Sequence, residues 1–292
     1  MNNLKIQIDT KEIEISATNK GTTEILTMQV KVSVEEDSFL HIGSSPSPLT
    51  EKKAAVFKVD RTPVIPASSF KGALRNQIEL LLIRNLSELK TQFNLDDENK
   101  LKPCIPAPRP TKSEQELLNL GYRGSIMEGK KYTGHCEIQV DEDKIEIPDG
   151  LGICPVCYFM GATGIMGFLR FSNFYPHEGD WLVDQTNIRI DRKTGTAAPK
   201  AKVDGEQVKP GTIFHGTIEI INKTPQGFEF GNPRKIGNTI IDLWLEKWQE
   251  SDTNKRKKLM IETLLFPAIY NIKFLGGQKS KGAGKVKVEI EG

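Results

Sequence analysis

Cys154-Pro155-Val156-Cys157 is a Cys-x-x-Cys pair, and such a turn sets two thiolates at the spacing a tetrahedral ion requires. A closed site needs two more ligands. Cys104 is a candidate for one place, and the neighbours His135 and Cys136 compete for the other. The implied ion is structural zinc, which would contribute folding free energy to a stretch with little apolar core of its own. Buried free thiols, or a redox Cys-x-x-Cys pair, are the alternative reading of the same residues.

A second constellation suits a phosphate. In Pro63-Val64-Ile65-Pro66-Ala67-Ser68-Ser69-Phe70-Lys71-Gly72-Ala73-Leu74-Arg75, two prolines hold the backbone extended. Ser68 or Ser69 is then expected to cap a helix. Lys71 and Arg75 stand four apart on one flank near its start. Free N–H groups, the positive end of the helix dipole, two hydroxyls and two cations converge there, which is an anion site. An ordinary capped surface helix would use the same residues.

Two more stretches suit a polyanion. Arg189, Arg192, Lys193, Lys200 and Lys202 put five cations into fourteen residues, a local footprint for a phosphodiester chain. The flanking residues alternate like strands, so the stretch is expected to project as a hairpin over residues 190–210. Near the end, Gly276-Gly277-Gln278-Lys279-Ser280-Lys281-Gly282-Ala283-Gly284-Lys285 combines lysines with glycines that let backbone approach a phosphate. It lacks P-loop spacing and precedes a strand, so nucleotide hydrolysis is not expected. His41, His177 and His215 are scattered and read as structural or solvated.

The elements that must position these residues follow from periodicity. Residues 4–16 alternate as a hairpin with Thr10-Lys11 as its turn, and 25–34 alternate again. Phe70, Leu74, Ile78 and Leu81 give a helix over 68–85 its apolar face. Residues 86–157 are polar, proline-rich and irregular, and read as an insertion with a short helix at 112–120. Gly161, Gly164 and Gly167 mark a turn before a strand at 168–174. Helices are expected at 238–250 and at 254–265, the latter ended by Pro267, and a last strand at 286–290. The class is α+β.

Bulk properties narrow the function. The chain has 292 residues, 37% of them apolar, and a net charge of +2. There is no global basic field, so nucleic-acid binding must come from local patches. No apolar run approaches the ~18 residues of a membrane span, and the first residues have no apolar signal core. A cytoplasmic protein without a membrane partner is expected, in which four cysteines suit metal or free thiols better than disulfides.

Taken in order, the Leu40-His41-Ile42-Gly43 turn, the Ile65-to-Arg75 motif, the Gly161-to-Phe171 turn, the Ile190-to-Ala198 stretch and the terminal Gly-Lys loop resemble the RAMP superfamily of CRISPR systems. The similarity spans about residues 24–290 and is greatest to the repeating backbone subunits of type III effector complexes; the Cys-x-x-Cys insertion resembles their zinc-bearing variants. The resemblance implies a single RAMP domain over 1–292 with a ferredoxin-like, RNA-recognition-motif-like core, a zinc-bearing insertion and a protruding thumb hairpin. It implies a ribonucleoprotein subunit that holds CRISPR guide RNA, captures complementary target RNA and stacks on other RAMP subunits. Ser68, Ser69, Lys71 and Arg75 would hold guide phosphates. The loop with Gly276, Gly277, Lys279 and Lys281 would line the same groove, and Arg189, Arg192 and Lys193 would lie on the thumb. Related subunits cut target RNA with an aspartate and a divalent metal such as Mg2+. At the corresponding place this chain offers only Glu51 and Asp60, so it is expected to bind RNA and cut it poorly or not at all. A stand-alone endoribonuclease that trims repeat RNA, with His41 as its catalytic group, is the alternative.

Overall fold

Alternating apolar residues commit the first third of the chain to strands. The computed structural model describes residues 3–8, 11–43, 55–107, 110–124, 134–141, 144–146, 150–248 and 252–291. In it β1 (Leu4–Ile8) pairs antiparallel with β2 (Lys11–Lys20), and β2 with β3 (Thr23–Val34). Lys11 pairs with Ile8 inside the ladder rather than in the turn, and Thr10 lies outside the described residues. Along β3, Leu26, Met28, Val30, Val32 and Val34 are buried while the residues between them are not.

The phosphate-type motif leads into α1 (Ala67–Arg84), which buries Phe70, Leu74, Ile78, Leu81 and Leu82. Next come α2 (Leu86–Gln92), α3 (Pro155–Met160), β4 (Leu169–Phe171) and β5 (Tyr175–Pro176). β6 (Leu182–Ile190) and β7 (Ala197–Val208) form a two-stranded hairpin of their own, beginning eight residues before Ile190 and tied to the body by a Leu40–Val208 bridge. β8 (Ile213–Lys223), α4 (Thr253–Met260), α5 (Phe266–Tyr270) and β9 (Val286–Glu291) complete the chain. The result is a mixed α/β fold on one antiparallel sheet, in which β8 runs between β3 and the short β4 and β5, while β9 pairs the second half of β3. Among the described residues no helix is long and apolar enough to cross a membrane.

Three expectations are corrected. Of the helix expected at 238–250, the described residues 238–248 form none, and the last two lie outside the described residues. Lys235–Ile236 and Thr239–Ile240 make a small hairpin, followed by turns. The Asp242 carboxylate accepts the Arg234 backbone N–H and two guanidinium N–H groups, all at 2.8 Å, and this buried pair fixes a turn where periodicity suggested a helix. Trp244 and Trp248 still reach the core, edge-on to Phe93. Pro267 does not end the last helix either. A π turn at Ile261–Leu265 carries α4 into α5, and Pro267 follows directly after it; such a widened turn is where a helix accommodates a residue that donates no N–H. Third, neither Ser68 nor Ser69 caps α1, because Pro66 is the N-cap and makes no side-chain bond; Asn173 Oδ1 accepts the Ala67 N–H at 2.9 Å instead.

Between 86 and 157 the described residues hold, besides α2, a short helix at Lys112–Gln115 that continues as a 3-10 turn to Leu120, where a short helix was expected. Its first part is not peripheral: Leu89, Phe93, Leu95 and Leu101 are buried in the main core.

Candidate metal centre and nucleic-acid interface

Pro155 opens α3 at a position whose N–H would have no partner, and Cys154 caps it, its Sγ accepting the Cys157 N–H at 3.5 Å. Cys136 Sγ accepts the Cys154 N–H at 3.2 Å. Cys104 Sγ lies 3.4 Å from Cys157 Sγ. All four sulfurs fall within 4.8 Å of one another, and all four residues are buried. Sulfurs bound tetrahedrally about 2.3 Å from a zinc ion stand roughly 3.8 Å apart, so the set could hold a metal such as zinc. Of the two neighbours, it is Cys136 whose sulfur joins the cluster. His135 is not in the cluster; its Nε2 lies 2.5 Å from the Glu137 carboxylate.

Two guanidinium groups lie against these sulfurs. Arg123 Nη2 donates to Cys136 Sγ at 2.6 Å and to the Gly152 carbonyl at 2.5 Å. Arg75 Nη2 lies 3.7 Å from Cys157 Sγ and 3.9 Å from Cys104 Sγ, and Arg75 Nε donates to Glu79 at 2.8 Å. Burial opposes the charge on Arg75, but Cys157 and Glu79 outweigh it and strengthen its hold on the proton. Burial pushes the Cys136 thiol up. It acts the same way on Cys154, yet contacts from the other three sulfurs and the Arg123 charge hold that thiol well below its usual range. Burial also lifts the Glu79 carboxyl, against Arg75 and the Tyr122 hydroxyl.

Arg75, expected at a phosphate, is therefore engaged with Glu79 and the sulfurs. Ser69 has a different neighbourhood. It lines a cleft of about 700 Å³ between α1 and the segment after α5, together with Gly72, Asn76, Arg84, Lys273, Gly276 and Lys279. Among the described residues, three cations and no carboxylate line this cleft. Two sequence-predicted groups more than two hundred residues apart, Ser69 on one side and Gly276 with Lys279 on the other, thus meet in one place. Ser68 is exposed beside it, and Lys71, half-buried, stands two residues from Ser69 but does not line it. Gly277 and Lys281 are exposed on the same loop. Arg84 and Lys273 were missed from sequence. Arg84 shares a helix face with Ser69 and Leu80, which 3.6-residue periodicity could have revealed; nothing local marks Lys273.

The terminal loop is fastened to the turn after β3. Gly277 donates to the His41 carbonyl at 2.8 Å and Gly284 to the Phe39 carbonyl at 2.7 Å. His41 is 9% exposed and holds the hairpin base, its Nδ1 donating to the Glu206 carbonyl at 2.9 Å. At the far end of the hairpin Arg192 and Lys193 are exposed; the side chains of Arg189, Lys200 and Lys202 lie outside the described residues. The turn at 161–167 packs on the cysteine stretch, where Ile138 donates to the Thr163 carbonyl at 3.0 Å. Asp60 sits with Arg61 in the tight turn between Lys58–Val59 and Thr62–Pro63, both with positive φ, as a two-residue hairpin turn of the I′ kind requires. Glu51 lies outside the described residues.

The family model of the RAMP superfamily matches residues 34–287. No curated protein matches the sequence. Among solved structures, a chain from the cryo-EM structure of the Type III-B Cmr-beta bound to cognate target RNA is similar at 14% identity with a TM-score of 0.41. That alignment covers 91% of this chain, which spans 60% of the other's length.

Proposed function

The chain belongs to the RAMP superfamily, and from that premise we propose that it is a guide-RNA-binding backbone subunit of a type III CRISPR ribonucleoprotein that captures complementary target RNA. The observation that carries this reading is the cleft in which Ser69, Gly276 and Lys279 meet Arg84 and Lys273, with no carboxylate among its described lining residues. Cations and backbone amides hold phosphates whatever the base sequence, which leaves sequence choice to base pairing. Phe274, 44% exposed at the cleft, offers a stacking face for an unpaired base. Lys71 and Lys281 extend the basic rim, and neighbouring RAMP subunits would continue the groove.

The sheet order β9-β3-β8-β4, with α1 and the α4–α5 pair as crossovers, is read as the β-α-β-β-α-β plan of a ferredoxin-like domain. The β6–β7 hairpin, with Arg192 and Lys193 near its turn, is the thumb that would part guide from target. Four thiolates favour zinc over harder ions, and this ion is assigned a structural role. The working compartment is the cytoplasm.

On this reading the subunit holds RNA, and cutting falls to its neighbours. Metal-ion-dependent cleavage by this chain would need Glu51 or Asp60 near a scissile phosphate, and Asp60 already serves a tight turn. Trimming of repeat RNA by His41 would need an open imidazole, whereas His41 is packed at the hairpin base. The test is cleavage of labelled target by the assembled complex carrying Glu51→Ala or Asp60→Ala in this subunit. An unchanged product ladder with guide RNA still bound is the expected result. Loss of one product would make this a slicing subunit and name its acid.

A further inference from the structure

One side chain joins the metal centre to the helix that walls the cleft. Arg75 lies on α1 beside Asn76 and one turn from Gly72, both cleft residues, yet its own guanidinium reaches Cys157 and Cys104. It is clamped from behind, since Glu79 Oε1 accepts Arg75 Nε at 2.8 Å while Glu79 Oε2 accepts the Tyr122 hydroxyl at 2.8 Å. Tyr122 and Cys104 belong to the same stretch, closed by the Cys104–Arg123 bridge. Salt bridge, tyrosine and cysteine thus form one ring that starts and ends on α1.

Charge explains why an arginine stands there. Four thiolates around a divalent cation carry a net charge of −2. A buried charge is costly unless it is paired. Arg75 and Arg123 supply two positive charges against the sulfurs, and Arg75 alone brings its charge from the helix of the cleft. We infer that Arg75 is a positioning residue that balances the tetrathiolate centre and couples metal loading to the setting of α1, and so to the RNA groove. The RNA half rests on the function proposed above; the metal half does not.

The full-length protein tests it with Arg75→Gln, with Arg75→Lys as the charge-keeping variant should Gln fail to fold. Zinc affinity is read by competition with a chromogenic chelator, and the sulfur environment by the thiolate-to-metal charge-transfer band of the Co(II)-loaded protein. Removing an outer-sphere donor weakens metal binding about 10–100-fold. Arg75→Gln is expected in that range, with the band moved to lower energy because the sulfur lone pairs lose a stabilising cation. RNA affinity of Arg75→Gln should fall at limiting zinc and return at saturating zinc. Lys279→Gln should lose RNA affinity at unchanged zinc affinity. Wild-type zinc affinity and an unshifted band in Arg75→Gln would overturn the inference. So would an RNA defect that saturating zinc does not repair, since Arg75 would then touch RNA directly. A wild-type chain that takes up zinc but binds no RNA would sink the RNA-groove reading, while the zinc titration would still decide the role of Arg75.

Discussion

Gly277 donates its backbone N–H to the His41 carbonyl at 2.8 Å, and this bond clasps the terminal loop to the turn after β3. The neighbouring Gly276 has φ +73°, and a Cβ there would stand 2.3 Å from the same carbonyl oxygen. Gly276→Ala therefore meets both a left-handed backbone and a backbone clash. A loss of at least about 1–3 kcal/mol is expected, read as a lowered thermal midpoint, with RNA affinity falling because Lys279 moves with the loop. A variant as stable as the parent would show that the clasp yields easily.

Lys273 and Lys279 line a cleft with no carboxylate among its described residues. Binding to single-stranded RNA should weaken as salt rises, the slope of log affinity against log salt changing by ~0.7 for each phosphate neutralised. Lys273→Gln and Lys279→Gln are each expected to flatten that slope by about this amount, equally for unrelated sequences. Filter binding at several salt concentrations would measure it, and a sequence-dependent loss would count against a backbone-holding cleft.

The cysteine cluster predicts a metal-dependent fold. One equivalent of zinc is expected per chain, and Cys154→Ser should abolish it. Metal binding is coupled to folding, so a chelator should lower the thermal midpoint by ~10 °C or more, several kcal/mol in a domain of this size. Because the ligands must be thiolates, protons compete with the metal, and its release should grow as pH falls. Metal analysis with and without chelator decides this, and an unchanged midpoint would leave the thiols with no structural ion.

Arg234 and Asp242 are each buried to within 2% of complete. Asp242→Ala leaves the guanidinium uncompensated and is expected to cost about 3–5 kcal/mol. Replacing both residues by apolar ones of similar size should cost far less, since no charge is then stranded. Chemical denaturation of the single and double variants would show the difference.

Much was determined by the sequence itself. Local chemistry announces itself locally: alternation in β3, the stripe of α1, the Cys-x-x-Cys turn and the glycines at 276 and 284 are each set by bonds and sterics within a few residues. The order of five motifs along the chain likewise pointed to the RAMP superfamily before any contact was known. Tertiary structure decided which distant groups meet. It chose Cys136 over His135, because only the former's sulfur reaches the other three. It turned Arg75 toward the sulfurs and brought Lys273 and Arg84 beside Ser69. It also let the Asp242 carboxylate hold Arg234 in a turn where apolar spacing had suggested a helix, and let Asn173 cap α1 in place of a serine. In each case the deciding partner lies elsewhere in the chain, and the strength of a buried charge or hydrogen bond depends on burial that only the whole fold creates.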